Sequence, residues 1–177
     1  MHIRQAQLKD AAGIAKVHVD SWRTTYKGII PDEYLDGLSY EQREELWERN
    51  MAAPDNYIVV AENSDGHIVG FATAGKREEN QTDKAADLTS IYLFADMQGY
   101  GIGKMLMKEL FIYFTQNGYE KIFVEVLKDN KTRHFYEHYG AQLVKEVQIK
   151  IGGKALDELI YEWESAEKVL EKLSISK

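Results

Sequence analysis

Cysteine is absent from this chain, so it can build no disulfide framework, no thiolate nucleophile and no thiolate-ligated metal site. Proline is scarce, with 2 in 177 residues, and no low-complexity linker divides the sequence. No run of about 18 apolar residues occurs and no segment has the layout of a signal peptide, which predicts a cytoplasmic protein that does not enter a membrane. Basic residues are outnumbered, 22 against 29 acidic, for a formal net charge of −7. That balance argues against a broad surface for nucleic acid. No metal site is expected from the 5 histidines.

What is present is a mixed globular composition of a length that suits one core. Residues 1–177 read as a single domain, with about 164–175 as a C-terminal helical extension. His2–Ala6 is a short strand candidate. In Asp10–Tyr26, Ile14, Val17, His18, Ser21 and Trp22 recur at helical spacing, although Gln7 is a weak cap. Lys27–Pro31 breaks that pattern, and Ser39 with Gln42 opens a second helix to about Met51. Tyr57–Glu62 and His67–Ala74 read as a hairpin around a turn-rich Asn63–Gly66. Lys76–Asp87 is a polar loop and Leu88–Phe94 the next strand. Gly101–Gln116 has a wide apolar face and is the clearest helix. Ile122–Leu127 is a strand, Asn130–Tyr139 a short helix, and Ala141–Ile151 and Ala155–Trp163 two last strands before a helix at Glu164–Leu173. The order is a mixed α/β pattern.

The chemistry is concentrated where the Leu88–Phe94 strand runs into Gln98-Gly99-Tyr100-Gly101-Ile102-Gly103-Lys104. The first amides of a helix have no internal partner and carry partial positive charge. Glycines there let a pyrophosphate approach the backbone, and Lys104 adds a cation. A Walker A loop fails twice, because Gln98 and Met105 stand where it needs a glycine and a hydroxyl. A dinucleotide fingerprint fails on glycine spacing and on position in the chain.

At these residues the sequence resembles the GCN5-related N-acetyltransferase (GNAT) superfamily. Gln98–Gly103 matches that family's Gln/Arg-x-x-Gly-x-Gly/Ala loop, and Leu88-Thr-Ser-Ile91-Tyr92-Leu93 its preceding strand. Downstream, Val126, Asn130, Phe135-Tyr136 and Tyr139-Gly140 follow in the family's order, with Phe-Tyr one residue closer to the asparagine than is commonest. The resemblance spans essentially the whole chain. It implies an α/β fold of the α+β type, with a central mixed, mostly antiparallel sheet of about six to seven strands flanked by helices.

It also implies an acyltransferase that moves an acetyl group from acetyl-CoA to a primary amine of a small molecule or peptide. The amine attacks directly in a ternary complex, and no metal takes part. Ile91, Tyr92, Leu93, Gln98, Gly99, Tyr100, Gly101, Ile102, Gly103, Lys104, Asn130 and Tyr136 are then the coenzyme A residues. Tyr136 is the candidate acid; a phenol near pKa 10 protonating a thiolate near 8.5 is uphill by about 2 kcal/mol, which favours a hydrogen bond to the developing charge. An alkylammonium must also lose a proton, so a base is expected. Asp87 is the first candidate, Glu125 the second and His18 the third. Trp22, Tyr26 and Tyr92 are candidate acceptor-pocket residues that suit an amine by cation–π contact. Relatives are often dimers, so a homodimer is also expected. A noncatalytic acyl-CoA sensor is the alternative reading, and a nucleotide-phosphate enzyme a third.

Overall fold

A computed structural model describes residues 1–175. Among them, seven strands form one sheet: β1 (His2–Gln5), β2 (Tyr57–Glu62), β3 (Ile68–Gly75), β4 (Ala85–Leu93), β5 (Lys121–Leu127), β6 (Gln142–Ile151) and β7 (Lys154–Trp163). Their order is β1-β2-β3-β4-β5-β7-β6. Every pair is antiparallel except β4 with β5, because a helix crosses between those two strands. This is the mixed, mostly antiparallel sheet that the sequence leads one to expect.

That crossover helix, α4 (Ile102–Gln116), lies on one face of the sheet. Its stripe of Ile102, Leu106, Leu110, Phe111 and Phe114 packs on Val59, Ala72, Leu88, Ile122 and Val124 in the largest core cluster. The C-terminal helix α6 (Ala166–Ile175) joins that cluster through Val169 and Leu173. On the opposite face lie α1 (Ala11–Thr25) and α3 (Tyr40–Ala52), where Ile14, Val17 and Trp47 pack on Ile58, Val60 and Phe71. The alternation of a strand therefore feeds two cores, as a sheet covered on both sides requires.

Two local starts depart from the sequence reading. Gln7 does not cap with its side chain; Asp10 caps backwards instead, its carboxylate accepting the Gln7 N–H at 2.8 Å within a 3-10 turn at Leu8–Asp10. The same carboxylate takes both ends of the Arg4 guanidinium at 2.7 and 2.9 Å. A short helix, α2 (Asp32–Asp36), follows Pro31, inside a stretch with no helical periodicity to betray it. The last short helix, α5 (Arg133–His138), begins three residues after Asn130, whose Oδ1 accepts the Thr132 N–H at 2.9 Å and turns the chain into it.

Candidate active site

The site begins where two neighbouring strands part. β4 and β5 pair from Ala85 opposite Lys121 to Leu88 opposite Val124, yet β4 runs on to Leu93 and β5 to Leu127. Against β3, Leu88 faces Ala74 and Ser90 faces Thr73, so Thr89 is an extra residue. Such a bulge bends its strand and sharpens the twist. The Thr89 hydroxyl holds the bulge by donating to the Thr73 carbonyl at 3.2 Å. Beyond it, the edge of β4 that faces β5 has no ladder partner among the described residues.

A cleft of about 400 Å³ opens over this free edge. Ile91, Tyr92 and Leu93 form its floor, Gln98, Gly99, Gly101, Gly103 and Lys104 its rim, and Thr25, Thr132, Phe135 and Tyr139 its far wall. Gly99 and Gly101 adopt φ of 83° and 77°, a region that costs a residue with a Cβ about 1–2 kcal/mol. None of the amides from Gly99 to Gly103 finds a backbone acceptor among the described residues, and the start of α4 adds its partial positive charge. A Cβ on Gly103 would come within 3.8 Å of Leu93 and 3.9 Å of Phe135, filling the space between the walls. The donors and the width fit a pyrophosphate at the loop and an extended arm along β4. Tyr100 is exposed and Ile102 is buried beneath α4; both serve the loop through their backbones, and neither puts a side chain into the cleft.

Behind the gap is a smaller cavity of about 30 Å³, bordered by Tyr26, Glu125, Asn130 and Tyr136. Tyr136 is 4% exposed, and its hydroxyl forms no hydrogen bond with a described residue. Burial, and then the nearby Tyr26, push its phenol above the ordinary range. The Tyr26 and Tyr92 hydroxyls meet at 2.9 Å, and Asn130 donates to Tyr26 at 3.4 Å. Trp22 packs against Tyr26 with ring centroids 4.8 Å apart but borders neither cavity.

The three base candidates separate clearly. Asp87 does not end a polar loop but lies inside a strand: β4 begins at Ala85, and the carboxylate is 0% exposed. It accepts the Arg77 N–H at 2.8 Å and the Asn80 amide at 2.5 Å, and pairs with the Arg77 guanidinium at 3.6 Å. It borders neither cavity and anchors the β3–β4 loop. His18 is neutral and packed; its Nδ1 accepts from the Trp47 indole at 3.0 Å, and burial, then Arg43, lower its pKa to about 3. Glu125 is the one that reaches the cavity. It pairs with Arg77 Nε at 3.2 Å, while burial and the neighbouring Asp87 raise its pKa against that pull.

Two further residues, unmarked by any motif, lie on the same sheet face. Arg77 reaches over from the β3–β4 loop. Glu158 stands on β7 in phase with Leu156 and Ile160, both core residues, and a charge at an inward position of an alternating strand is a signal the sequence did offer.

The gap between the parallel strands thus leads to a glycine loop with orphan amides, with a buried tyrosine behind it. The model of the Acetyltransferase (GNAT) family matches residues 18–141. The chain is 36% identical over 161 residues to an uncharacterised N-acetyltransferase, YuaI of Bacillus subtilis, covering 91% of each. The fold is also that of the PaiA N-acetyltransferase of Thermoplasma acidophilum, solved in complex with coenzyme A, with a TM-score of 0.73, 22% identity and coverage of 92% of this chain and 98% of that one. YncA of Salmonella typhimurium, a putative acetyltransferase solved with acetyl-CoA, superposes with a TM-score of 0.71 at 18% identity, over 93% of each chain. The chain belongs to the GNAT acetyltransferase family, and it is an acyltransferase. No helix among the described residues is long and apolar enough to cross a membrane.

Proposed function

We propose that this protein binds acetyl-CoA across the β4–β5 gap and transfers the acetyl group to a primary amine of a small molecule or peptide. The observation that carries the reading is the free edge of β4 ending at a run of unpaired amides. A pantetheine arm has amides that can pair with such an edge, and a pyrophosphate suits the loop. Acetyl-CoA supplies an activated acyl carbon and a thiolate leaving group. Ile91, Tyr92 and Leu93 hold the arm, Gln98 to Lys104 the phosphates, and Asn130 fixes Tyr26 and the start of α5.

Glu125 takes the proton of the acceptor ammonium, directly or through one water, for which the small cavity has room. The freed amine then attacks the acyl carbon. The Tyr136 hydroxyl, unpartnered among the described residues, donates a hydrogen bond to sulfur as charge gathers there, and as the C–S bond breaks the second proton of the attacking nitrogen passes by way of this hydroxyl to the thiolate, leaving the amide and a free thiol. Asp87 acts by fixing Arg77, which in turn orients Glu125. Trp22 shapes the acceptor side from behind Tyr26.

The test is a thiol-release assay with acetyl-CoA across amines, amino acids and peptides, paired with calorimetry of acetyl-CoA binding. Micromolar binding and thiol release that depends on an amine are expected. Binding without release from any acceptor would remove the transferase mechanism, and stabilisation by ATP or NAD but not acetyl-CoA would remove the donor.

A further inference from the structure

Most polar side chains around the small cavity are already taken. Tyr26, Tyr92 and Asn130 satisfy one another, Glu125 pairs with Arg77, and Thr89 donates to the Thr73 carbonyl. Tyr136 is assigned to sulfur in the mechanism above. Thr132 borders the donor cleft as well, so it belongs to the wall of the arm. Ser90 is left. It borders the small cavity and not the cleft, it is half-buried, and its hydroxyl has no hydrogen-bond partner among the described residues.

The bulge at Thr89 decides which way Ser90 faces. Directly opposed residues of an antiparallel pair share a sheet face. Ser90 lies opposite Thr73 and Asp87 opposite Gly75; both partners are in phase with Phe71, which packs on α1 and α3. Asp87 stands beside Phe123 in the parallel ladder, and Glu125 follows Phe123 at the strand period of two. Ser90 and Glu125 therefore share the face under α1. Without the extra residue, position 90 would turn to the face of Leu88 and α4. Just past the last rung, at Leu88 and Val124, Ser90 and Glu125 stand on either side of the opening and border one cavity.

Resting on the transferase reading above, we infer that Ser90 holds the reacting nitrogen together with Glu125, its oxygen accepting one N–H, and thereby selects primary over secondary amines. The count of hydrogens carries the selection. A primary ammonium brings three. One passes to Glu125 before attack. As the C–N bond forms and the C–S bond breaks, a second reaches the thiolate by way of Tyr136. The third stays on the product amide, and it is the one Ser90 holds throughout. An N-methyl ammonium brings two hydrogens, and both are consumed. Its methyl takes the place of the third and sets carbon against the Ser90 oxygen in a cavity of about 30 Å³. An unmet acceptor and an added methyl both raise the barrier there.

The thiol-release assay with n-butylamine and N-methylbutylamine tests this. The wild type should favour n-butylamine in kcat/KM by about tenfold or more. Ser90→Ala should cut that ratio by about tenfold, mainly by slowing n-butylamine, with acetyl-CoA affinity within about twofold of the wild type. Ser90→Thr keeps the oxygen and should keep the ratio. An unchanged ratio in Ser90→Ala, or a ratio lost equally in Ser90→Thr, overturns the contact while acetylation of n-butylamine still stands. Calorimetry of n-butylamine into protein saturated with coenzyme A reads the contact without turnover. Affinity lower by about fivefold or more in Ser90→Ala supports it even where no thiol is released; equal affinity, or no heat with the wild type, sinks it.

Discussion

The hydroxyls of Tyr26 and Tyr92 meet at 2.9 Å, joining the end of α1 to the C-terminal end of β4. Both phenols are pushed above the ordinary range, chiefly by burial, so each is held as a neutral donor or acceptor. Removing the Tyr26 hydroxyl strands both the Tyr92 hydroxyl and the Asn130 amide that donates to Tyr26, at about 1–3 kcal/mol per group, whereas removing the Tyr92 hydroxyl leaves Tyr26 still accepting from Asn130. Tyr26→Phe should lower stability by about that amount and Tyr92→Phe by less, and the double variant by less than the sum of the two. Chemical denaturation in a double-mutant cycle measures the coupling; strict additivity would show the contact contributes nothing.

Tyr136 presents the reverse case, since its hydroxyl has no partner to strand among the described residues. Tyr136→Phe should leave the melting temperature unchanged or slightly raised. Its effect belongs to turnover, with kcat down by about 10²-fold or more and acetyl-CoA affinity within about twofold. A variant with wild-type kcat takes Tyr136 out of the proposed chemistry.

The pH profile tests Glu125. Its pKa is raised, first by burial, so the ionised form that accepts a proton appears only above the ordinary carboxylate range. The acidic limb of kcat/KM should therefore lie higher than that of a solvated glutamate, and activity should fall as pH drops through it. Glu125→Gln should lose that limb along with about 10²-fold or more in rate. If Asp87→Asn, and not Glu125→Gln, removes the limb, the base is Asp87.

The glycines separate conformation from access. Gly101 has φ of 77°, so Gly101→Ala should cost about 1–2 kcal/mol of stability and weaken acetyl-CoA binding as well. At Gly103 a Cβ makes only ordinary contacts, at 3.8 and 3.9 Å. Gly103→Val should stay folded and lose at least about tenfold in acetyl-CoA affinity by filling the cleft. Thermal melting and calorimetry on both variants distinguish the effects; undiminished affinity in Gly103→Val would place the arm elsewhere.

Much of this arrangement was legible in the sequence, because it is local. The Leu88–Leu93 strand, the glycine loop and the helix behind it form one contiguous segment whose residue types state their geometry. Asn130 and Tyr136 were likewise marked by a short motif. The base was harder to read. Asp87 looked like the end of a polar loop, but its burial depends on Arg77 and Asn80 folding back over β4, which no local pattern encodes. Glu158 was readable in principle from its phase with Leu156 and Ile160, yet its nearness to Glu125 emerges only when β5 and β7 pair. The five-residue α2 is too short for periodicity, and the Thr89 bulge exists only relative to β3.

The parting of β4 from β5 also bears on how the molecule holds together. Among the described residues, the sheet's N-terminal half, β1 to β4, is stitched to its C-terminal half by the short run of rungs ending at Leu88 and Val124. A donor arm lying in the opening adds rungs to that seam, so occupancy and cohesion of the two halves become one thermodynamic quantity. Amide protons of β5 beside the seam should thus exchange more slowly once the donor is bound, the small molecule acting for a time as a missing length of strand.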